Sequence, residues 1–455
     1  MFLSLDNKKG LAMNTLRRYA MIGLAALALV LSGAPPASAL LTIDITKGDF
    51  NPVPLAIVDL YGGADDTLSQ AKAATMTAIL RSDLGRSGLF DLTNPLAFLQ
   101  GANKIAEEGL RFSSWRLLGV EGVLSGTVKV AGDTLTVQYH LFDVFAGSKV
   151  LARQLSTPTS GMRVLAHQIA DEVYHAMTGE AGYFNSKVAF AAGPIGHREL
   201  WVMDQDGDHP VQVTKNSGLV IGPQWAPDGK KIVFMAYPDK VMGLYELDLT
   251  SGKVTEVTRY PGLNAAPRFS RDGKWLAMSL SKDGNPEIYL QEVGTKRMVR
   301  LTRQWGIDIS PSFSPNGEQI VFNSDRGGTP QIYIMNRDGT GTHRLTFEGD
   351  YNTAPAWSPR GDVIAFVTRI DGQYQLATIR PDGSNRRVLT RSEGNDAPSW
   401  APNGRTLIFT AYKEGEPYIA TIDMSGRNLM FHPGYTPKAV DPVWSPSLIK
   451  VKEQP

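Results

Sequence analysis

The chain has no cysteine among its 455 residues, which excludes disulfides, thiolate metal sites and a cysteine nucleophile. Neither sign of charge predominates, because 46 lysine and arginine residues are matched by 45 aspartate and glutamate residues. A net charge of +1 gives no reason to expect nucleic acid or an anionic membrane surface as a partner. With 42% hydrophobic and 20% charged residues, the composition is that of an ordinary globular protein of two or three domains.

The chain also lacks an apolar run long enough to span a bilayer, which takes about 20 residues. Its most apolar stretch, Ala20 to Leu31, follows Arg17-Arg18 and precedes the A-S-A sequence that ends at Ala39. This order predicts a signal peptide over residues 1–39, with an N-terminal anchor as the alternative. Met13 is a better start for such a peptide than Met1, which would make residues 1–12 upstream sequence. We therefore expect an exported protein with no direct membrane insertion.

Catalytic motifs are missing as well. The sequence has no G-x-S-x-G, no H-E-x-x-H, no P-loop and no G-x-G-x-x-G after a strand. His167 and His175 share a predicted helix but lie two turns apart, so we favour a surface or satisfied polar role over a metal pair. The Asp-Gly pairs resemble pieces of calcium loops, but D-x-D-x-D-G is never completed. The sequence therefore predicts no enzyme, no cofactor and no assigned metal ligand.

What the chain does contain is a repeated phrase, seen most plainly as P-A-W-S-P-R-G-D-V-I-A-F from Pro355. Copies begin at Pro223, Pro267, Pro311 and Pro398, and a truncated P-V-W-S-P begins at Pro442, giving spacings of 44, 44, 44, 43 and 44 residues. In each copy an aromatic residue precedes a Pro or Asp-Gly turn and a β-branched strand. A period of 40 to 50 residues with strand chemistry predicts a β-propeller.

The two ends of the array give the number of blades. The first copy begins at Lys187 without the Pro-x-Trp phrase, and the last copy holds that phrase alone. Together they make one blade, so we predict a six-bladed β-propeller over residues 185–446 that is closed by the C-terminal strand. Closure removes exposed sheet edges. A cation held by carboxylates on the propeller axis is left open.

The region before the array mixes helix and strand patterns. Leu55–Leu60, Phe90–Thr93, residues 122–130 and two later segments read as strands, and Asp65, Asp66 or Thr67 can cap a helix that runs to about Leu84. Residues 95–118 read as a loop and a short helix, and a second amphipathic helix starts near Met162. The fold class is therefore mainly β, with an N-terminal α/β domain over residues 40–180 followed by the propeller, and a polar tail at 447–455.

The order of signal peptide, small α/β domain and six-bladed propeller, with the repeated P-x-W-S-P-D-G phrases and the late P-V-W-S-P, resembles the TolB family of the Tol-Pal system. The resemblance implies a monomeric, non-enzymatic periplasmic scaffold. It would link TolA and other inner-membrane Tol proteins to the peptidoglycan-associated lipoprotein Pal, supporting outer-membrane integrity and envelope constriction during cell division. The alternative is an accessory propeller domain of a peptidase-like or ligand-binding periplasmic protein.

The resemblance also implies a TolA-binding segment at the mature N-terminus. Residues 40–46 alternate apolar and polar side chains and could add a strand to a partner's sheet. The alternative is an edge strand of the chain's own α/β domain. The matching residues are Leu41, Thr42, Ile43, Asp44 and Ile45.

The same resemblance places the Pal site on the loops that lead into each first strand, at 262–266, 306–310, 350–354 and 394–397. The third residue before each repeat proline is Asn or Asp in four consecutive repeats, and these residues should rim the central opening. The alternative is that each one hydrogen-bonds its own turn. The N-A-A-P stretch at Asn264 matches a family N-G-A-P element, with Leu263 where many relatives have His, which suggests an apolar contact. The candidates are Leu263, Asn264, Ala265, Ala266, Asp308, Ile309, Asn352 and Asn395.

Overall fold

The computed structural model describes residues 51–432 and 438–447. The predicted signal peptide, the Met13 start and the segment from Leu41 to Ile45 lie outside the described residues, as does the tail from residue 448. Within the described part of the chain, no helix has both the length and the apolar character needed to cross a bilayer.

The N-terminal domain is built on one five-stranded mixed sheet with the order β2-β1-β3-β4-β5. Strand β1 pairs in parallel with β2 and β3, and β3, β4 and β5 form an antiparallel meander. The strands are β1 (Val53–Ile57), β2 (Phe90–Leu92), β3 (Gly122–Ala131), β4 (Thr134–Asp143) and β5 (Ser148–Pro158). The helices are α1 (Thr67–Arg86), α2 (Ala102–Glu108), α3 (Phe112–Leu117) and α4 (Met162–Thr178), with 3-10 turns at Pro95–Ala97 and Thr159–Gly161.

Alternating side chains of β1 divide this domain into three layers. Leu55 and Ile57 join the apolar cluster under α1 and α4, while Ala56 and Val58 join the cluster under α2 and α3. Helix α1 begins where the sequence predicts, because the Asp66 carboxylate accepts a hydrogen bond from the Ser69 backbone N–H at 3.0 Å. Strand β1 ends three residues before the predicted Leu60, and residues 95–118 hold two helices where one was predicted.

Six four-stranded antiparallel sheets make the propeller. In chain order each blade runs from its innermost to its outermost strand. Blade 2 holds β9 (Ile221–Trp225), β10 (Lys231–Ala236), β11 (Gly243–Asp248) and β12 (Val254–Thr258); blade 3 holds β13 (Asn264–Phe269), β14 (Trp275–Leu280), β15 (Glu287–Glu292) and β16 (Met298–Arg300); blade 4 holds β17 (Asp308–Phe313), β18 (Gln319–Ser324), β19 (Gln331–Asn336) and β20 (His343–Arg344). Blade 5 holds β21 (Asn352–Trp357), β22 (Ile364–Ile370), β23 (Gln373–Ile379) and β24 (Arg387–Val388); blade 6 holds β25 (Asn395–Trp400), β26 (Thr406–Lys413), β27 (Glu416–Asp423) and β28 (Met430–Phe431).

Blade 1 is assembled from the two ends of the array. Its three outer strands are β6 (Lys187–Ala192), β7 (Glu199–Asp204) and β8 (Val211–Gln212), and its innermost strand is β29 (Val440–Trp444). Strand β29 pairs antiparallel with β6, and the Lys187 and Ser445 backbones extend the ladder, since the Ser445 N–H donates to the Lys187 carbonyl at 2.8 Å. The predicted six-bladed propeller closed by the C-terminal strand is confirmed.

The N-terminal domain lies against one end of the propeller. Tyr183, Phe184 and Trp444 belong to the same apolar cluster as the core under α1 and α4, so the two domains share a continuous core. Glu180 follows α4 and accepts from Arg360 and Arg405, which occupy the β21–β22 and β25–β26 turns. At the opposite end of the propeller, the loops between blades lead into the innermost strands, and among residues 51–180 none lines the cavity there.

Candidate functional site

The propeller axis opens into two cavities of different size. A chamber of about 1390 Å³ lies at the end next to the N-terminal domain, and a smaller cavity of about 260 Å³ lies at the far end, here called the narrow mouth. The residue immediately before each repeat proline lines the narrow mouth in all six blades: Gly222, Ala266, Ser310, Ala354, Ala397 and Asp441. The narrow mouth is therefore a six-membered ring supplied once by each blade.

These six residues share a backbone conformation that the repeat phrase does not reveal. Their φ angles lie between 48° and 58°, in the left-handed region, although only Gly222 is glycine. In blades 3 to 6 the pairing between the innermost strand and its neighbour shifts register across this residue and the proline. Such a bulge redirects the side chains around it. Left-handed non-glycine residues are costly and persist only where the surrounding fold imposes them.

The bulge decides where the predicted site residues lie. Ala265 and Ala266 line the narrow mouth, and Leu263 and Ile309 are half-buried beside it. The expectation that the third residue before each proline rims the opening is wrong, because Asn264, Asp308, Asn352 and Asn395 are 0–1% exposed. None of these four residues lines the narrow mouth. Whether this loop surface binds Pal stays a prediction.

The four buried residues instead tie neighbouring blades together. Asn352 donates to the Gln331 side-chain oxygen at 2.9 Å, and the Thr346 hydroxyl donates to the same oxygen at 2.7 Å. Asn395, Gln375 and Thr390 repeat this arrangement one blade further on. Asn264 bonds the Tyr260 backbone at both its carbonyl and its N–H. Asn264 therefore fits the alternative of hydrogen bonds to its own turn, whereas Asn352 and Asn395 bond both their own loop and a side chain of the preceding blade.

We call each of these buried polar contacts between neighbouring blades a corner. The corner between blades 3 and 4 differs in its chemistry. Glu287 and Asp308 stand where the next corner has Gln331 and Asn352, and both are fully buried. Arg300 donates to Glu287 at 2.8 Å and Arg326 donates to Asp308 at 2.6 Å. Burial raises the pKa of the Asp308 carboxyl, and the charge of Glu287 adds to the shift against the opposing effect of Arg326.

Two carboxylates belong to the narrow mouth itself. Asp396 is exposed to the cavity, but desolvation by the surrounding protein raises the pKa of its carboxyl, and the nearby charge of Asp441 raises it further. Burial also raises the pKa of Asp441, although this carboxylate accepts a hydrogen bond from the Gly222 N–H at 3.0 Å. They are the groups at the narrow mouth that an axial cation would meet, and whether such a cation binds stays open.

Sequence analysis missed a polar cluster between the two domains. Asp83 of α1 accepts from His167 of α4 at 2.6 Å and from Gln205 of the propeller at 2.8 Å. Asp206 of the propeller completes a group whose ligand atoms all lie within 4.8 Å of one another. Burial lowers the pKa of His167, but the hydrogen bond to Asp83 and the charges of Asp83 and Asp206 raise it above its ordinary value.

This cluster is built as an ion network. Arg163 donates to Asp206 at 2.6 Å and to Asp204 at 3.1 Å, and its guanidinium lies 3.4 Å from His167 Nε2. A guanidinium in that place competes with any metal ion for the same oxygens. The arrangement holds the N-terminal domain to blade 1. Its only sequence signal is the acidic stretch Asp204 to Asp208, which resembles a calcium-loop fragment.

Comparison with known families matches both domains. A family model described as the TolB amino-terminal domain matches residues 41–150, and one described as the TolB beta propeller domain matches residues 174–448. The second model alone spans more than half of the chain.

Individual relatives agree with these models. The Tol-Pal system protein TolB of Paramagnetospirillum magneticum is 37% identical over 202 residues, 43% of this chain and 44% of that protein. The Tol-Pal system protein TolB of Anaeromyxobacter dehalogenans is 35% identical over 221 residues, 48% of this chain and 50% of that protein. The chain thus spans half or less of the length of these curated relatives. The crystal structure of TolB from Acinetobacter baumannii is 30% identical with a TM-score of 0.79, over 89% of this chain and 99% of that one.

Proposed function

Since the chain belongs to the TolB family, we propose that it is a periplasmic interaction scaffold of the Tol-Pal system that links inner-membrane Tol proteins to the lipoprotein Pal. In this role it supports outer-membrane integrity and envelope constriction during cell division. The match of both domain models, in the order found in this chain, is the observation that carries the proposal.

The narrow-mouth end of the propeller is the surface we assign to Pal. The described part of the N-terminal domain occupies the opposite end, so we expect this end to be open to a partner. Six loops converge there on a rigid ring, which is a usual setting for binding residues. A stable protein interface buries more than about 1,000 Å², so several loops must act together.

The segment from Leu41 to Ile45 is the part we assign to TolA. Its alternation of apolar and polar residues suits addition to the edge of a partner's sheet. A variant that lacks residues 40–46 should fold but lose affinity for the TolA C-terminal domain. Undiminished binding by the shortened protein would assign TolA to another surface.

We infer that the scaffold is not an enzyme and acts in the periplasm as a monomer. The absence of a nucleophile elbow from the sequence supports the first part, and the predicted signal peptide supports the second. The remaining alternative is a propeller that serves a peptidase-like or ligand-binding protein. Affinity purification from envelope extract separates the two, since a scaffold should recover Pal together with an inner-membrane Tol protein.

The Pal assignment is tested by charge at the narrow mouth. Ala266→Arg and Ile309→Arg each add a bulky cation at this end, and Ala266 already tolerates a Cβ in its left-handed conformation. We expect each variant to weaken Pal binding by more than tenfold, a free-energy change of about 1.4 kcal/mol. Thr250→Arg is the matched control, because Thr250 is exposed on a turn at the other end of the propeller. If both mouth variants fold and bind Pal like the control, the Pal site lies elsewhere.

A further inference from the structure

The large axial chamber is lined by the repeat phrase itself. Six aromatic side chains, one from each blade, contribute to its walls: Trp225, Phe269, Phe313, Trp357, Trp400 and Trp444. Helix α4 and the segment around Gly182 lie over its wide end. Its volume of about 1390 Å³ exceeds the usual 300 to 1,000 Å³ of small-ligand pockets, and its aromatic walls are of the kind that such pockets use.

One position of the repeat points toward the axis in every blade. The residue between the repeat proline and the aromatic is Gln224, Arg268, Ser312, Ala356, Ser399 or Val443, and all six line the chamber. Arg268 is the only charged member of this set. Gln224, Arg268 and Ser399 also line the narrow mouth, so these three mark the level where the two cavities meet.

Arg268 has no acidic partner. Its Nη1 donates to the Gln224 side-chain oxygen, and among the described residues no carboxylate lies within ion-pair distance of it. Burial lowers the pKa of Arg268 to about 10, and no neighbouring negative charge offsets that effect. The guanidinium is still charged at neutral pH, so a cation stands uncompensated on the axis.

Several other partly buried arginines pair with acids, whereas Arg337 and Arg344 donate to backbone carbonyls. Arg163, Arg300, Arg326 and Arg405 each donate to at least one carboxylate. A desolvated charge without a partner is costly, and an arginine fork is well suited to a carboxylate. The free donors of Arg268, at the inner end of an aromatic chamber, therefore point to a missing anion.

We propose that the axial chamber binds a small organic acid whose carboxylate pairs with Arg268 and whose apolar body lies against the aromatic walls. The single guanidinium fits one planar carboxylate rather than a phosphate, which would require further donors. The N-terminal domain restricts the wide end, which favours a small molecule over a folded partner. The Gln224 amide stands beside the guanidinium and can donate a second hydrogen bond to the same carboxylate.

The test uses 2-naphthoate and its neutral analogue 2-naphthamide, which have the same ring system and differ in charge. Four of the eight tryptophans line the chamber, so binding of either probe should quench tryptophan fluorescence. The parent protein should bind 2-naphthoate about tenfold or more tightly than 2-naphthamide, because hydrogen bonds to charged groups are the stronger ones. Arg268→Gln should abolish this preference and leave the naphthamide affinity unchanged.

Arg271→Gln is the matched control. Arg271 lines the same chamber but lies at its outer end, where it donates to the Pro359 carbonyl at 3.4 Å, and its loss should leave the preference intact. Equal binding of the two probes by the parent, an unchanged preference in Arg268→Gln, or no binding of either probe would overturn the proposal. If Arg268→Gln does not fold, Arg268→Lys retains the charge without the fork and should reduce the preference.

A peptide probe tests whether the carboxylate that pairs with Arg268 belongs to an acidic peptide side chain rather than to a small organic acid. Acetyl-Phe-Glu-Phe-amide carries one acidic side chain between two aromatic residues. If this peptide binds in an Arg268-dependent way and 2-naphthoate does not, the small-acid proposal is wrong and the chamber is a site for an acidic peptide segment.

Discussion

Two corners of the propeller are built on equivalent strands yet hold different polar groups. Between blades 4 and 5, the Asn352 amide donates to Gln331 at 2.9 Å within a buried trio completed by Thr346. Between blades 3 and 4, the equivalent residues are Asp308, Glu287 and Thr302, again almost fully buried. Replacing two amides by two carboxylates removes the donor that joined them. Glu287 Oε2 and Asp308 Oδ1 have no hydrogen-bond partner, and neither has Asn352 Oδ1 in the amide corner.

The difference shows how one backbone accommodates opposite chemistry. The amide corner is joined by a hydrogen bond between its own side chains, whereas the carboxylate corner depends on Arg300 of β16 and on Arg326 of the β18–β19 turn. A third corner, between blades 1 and 2, supports this interpretation. Glu199 stands there at the position of Glu287, and Val220 stands at the position that is Asn or Asp in the other corners. Glu199 then accepts from the Thr214 hydroxyl and the Ser217 N–H with no second acid beside it.

The largest effect should come from removing an arginine of the carboxylate corner. Arg326→Gln leaves Asp308 buried without its cation, and breaking such a pair should lower the free energy of unfolding by about 3 kcal/mol. Urea denaturation at pH 7.5 measures this. In an Asp308→Asn background the same substitution should cost about 1 kcal/mol, typical of a neutral hydrogen bond. An equal cost in both backgrounds would show that Arg326 acts through its contact with the Phe322 ring rather than through charge.

A smaller loss should follow when the amide corner receives a charge. Asn352→Asp places a carboxylate against the Gln331 side-chain oxygen and the Glu348 carbonyl, both of which now accept from the amide. We expect a loss of about 2 kcal/mol at pH 7.5. The loss should shrink toward pH 4, since the buried acid then carries its proton. Asn336→Asp, at the exposed end of β19, is the control and should change stability by less than about 0.5 kcal/mol.

The reverse change should stabilise the protein modestly. Asp308 has a raised pKa, so its corner is most stable below the carboxyl's unfolded pKa of about 4 and loses stability as the pH rises through the folded value. Asparagine does not titrate, so Asp308→Asn should gain about 1 kcal/mol at pH 8 and nothing near pH 4. Thermal unfolding across this pH range measures the difference. A variant less stable than the parent at pH 8 would mean that pairing with Arg326 outweighs the repulsion from Glu287.

The smallest expected effect is the coupling between the two acids. In the parent protein, Glu287→Gln relieves the repulsion between Glu287 and Asp308 and also removes the acidic partner of Arg300. When Asp308 is already Asn, there is no repulsion to relieve, and the substitution has only the second effect. A double-mutant cycle of the two substitutions should therefore give a coupling free energy of about 0.5 to 1 kcal/mol. Strict additivity would indicate that the two carboxyls do not share an electrostatic environment.

Much of this fold could be predicted from the sequence because the propeller's signals are local and repeated. The spacing from Pro223 to Pro442 gives the blades, and the incomplete ends at Lys187 and Trp444 give the closure. The cap of α1 at Asp66 is likewise encoded within a few residues. Each of these features depends on neighbours along the chain, so pattern alone suffices.

Side-chain direction at the narrow mouth could not be predicted in the same way. The pattern N-x-x-P identifies the right loop, but glycine marks the left-handed residue only at Gly222, and alanine, serine and aspartate stand there in the other blades. Nothing in these residue types shows that the Asn264 side chain is buried between blades and that Ala266 lines the narrow mouth. The cluster of Asp83, His167 and Asp206 was missed for a different reason, because its contacts join residues at least 39 positions apart (167 to 206) and leave no local pattern.

The closure of blade 1 also orders events in time. The Lys187 backbone bonds the Ser445 hydroxyl, a contact that spans 258 residues. At bacterial synthesis speeds of about 5 to 20 residues per second, strand β6 emerges roughly 13 to 50 s before its partner β29 exists. During that interval the β6 edge lies open and can pair with a foreign strand. A nascent chain of this protein therefore spends most of its synthesis with an unprotected edge, and the final strand of the described chain, β29, is the one that removes the hazard.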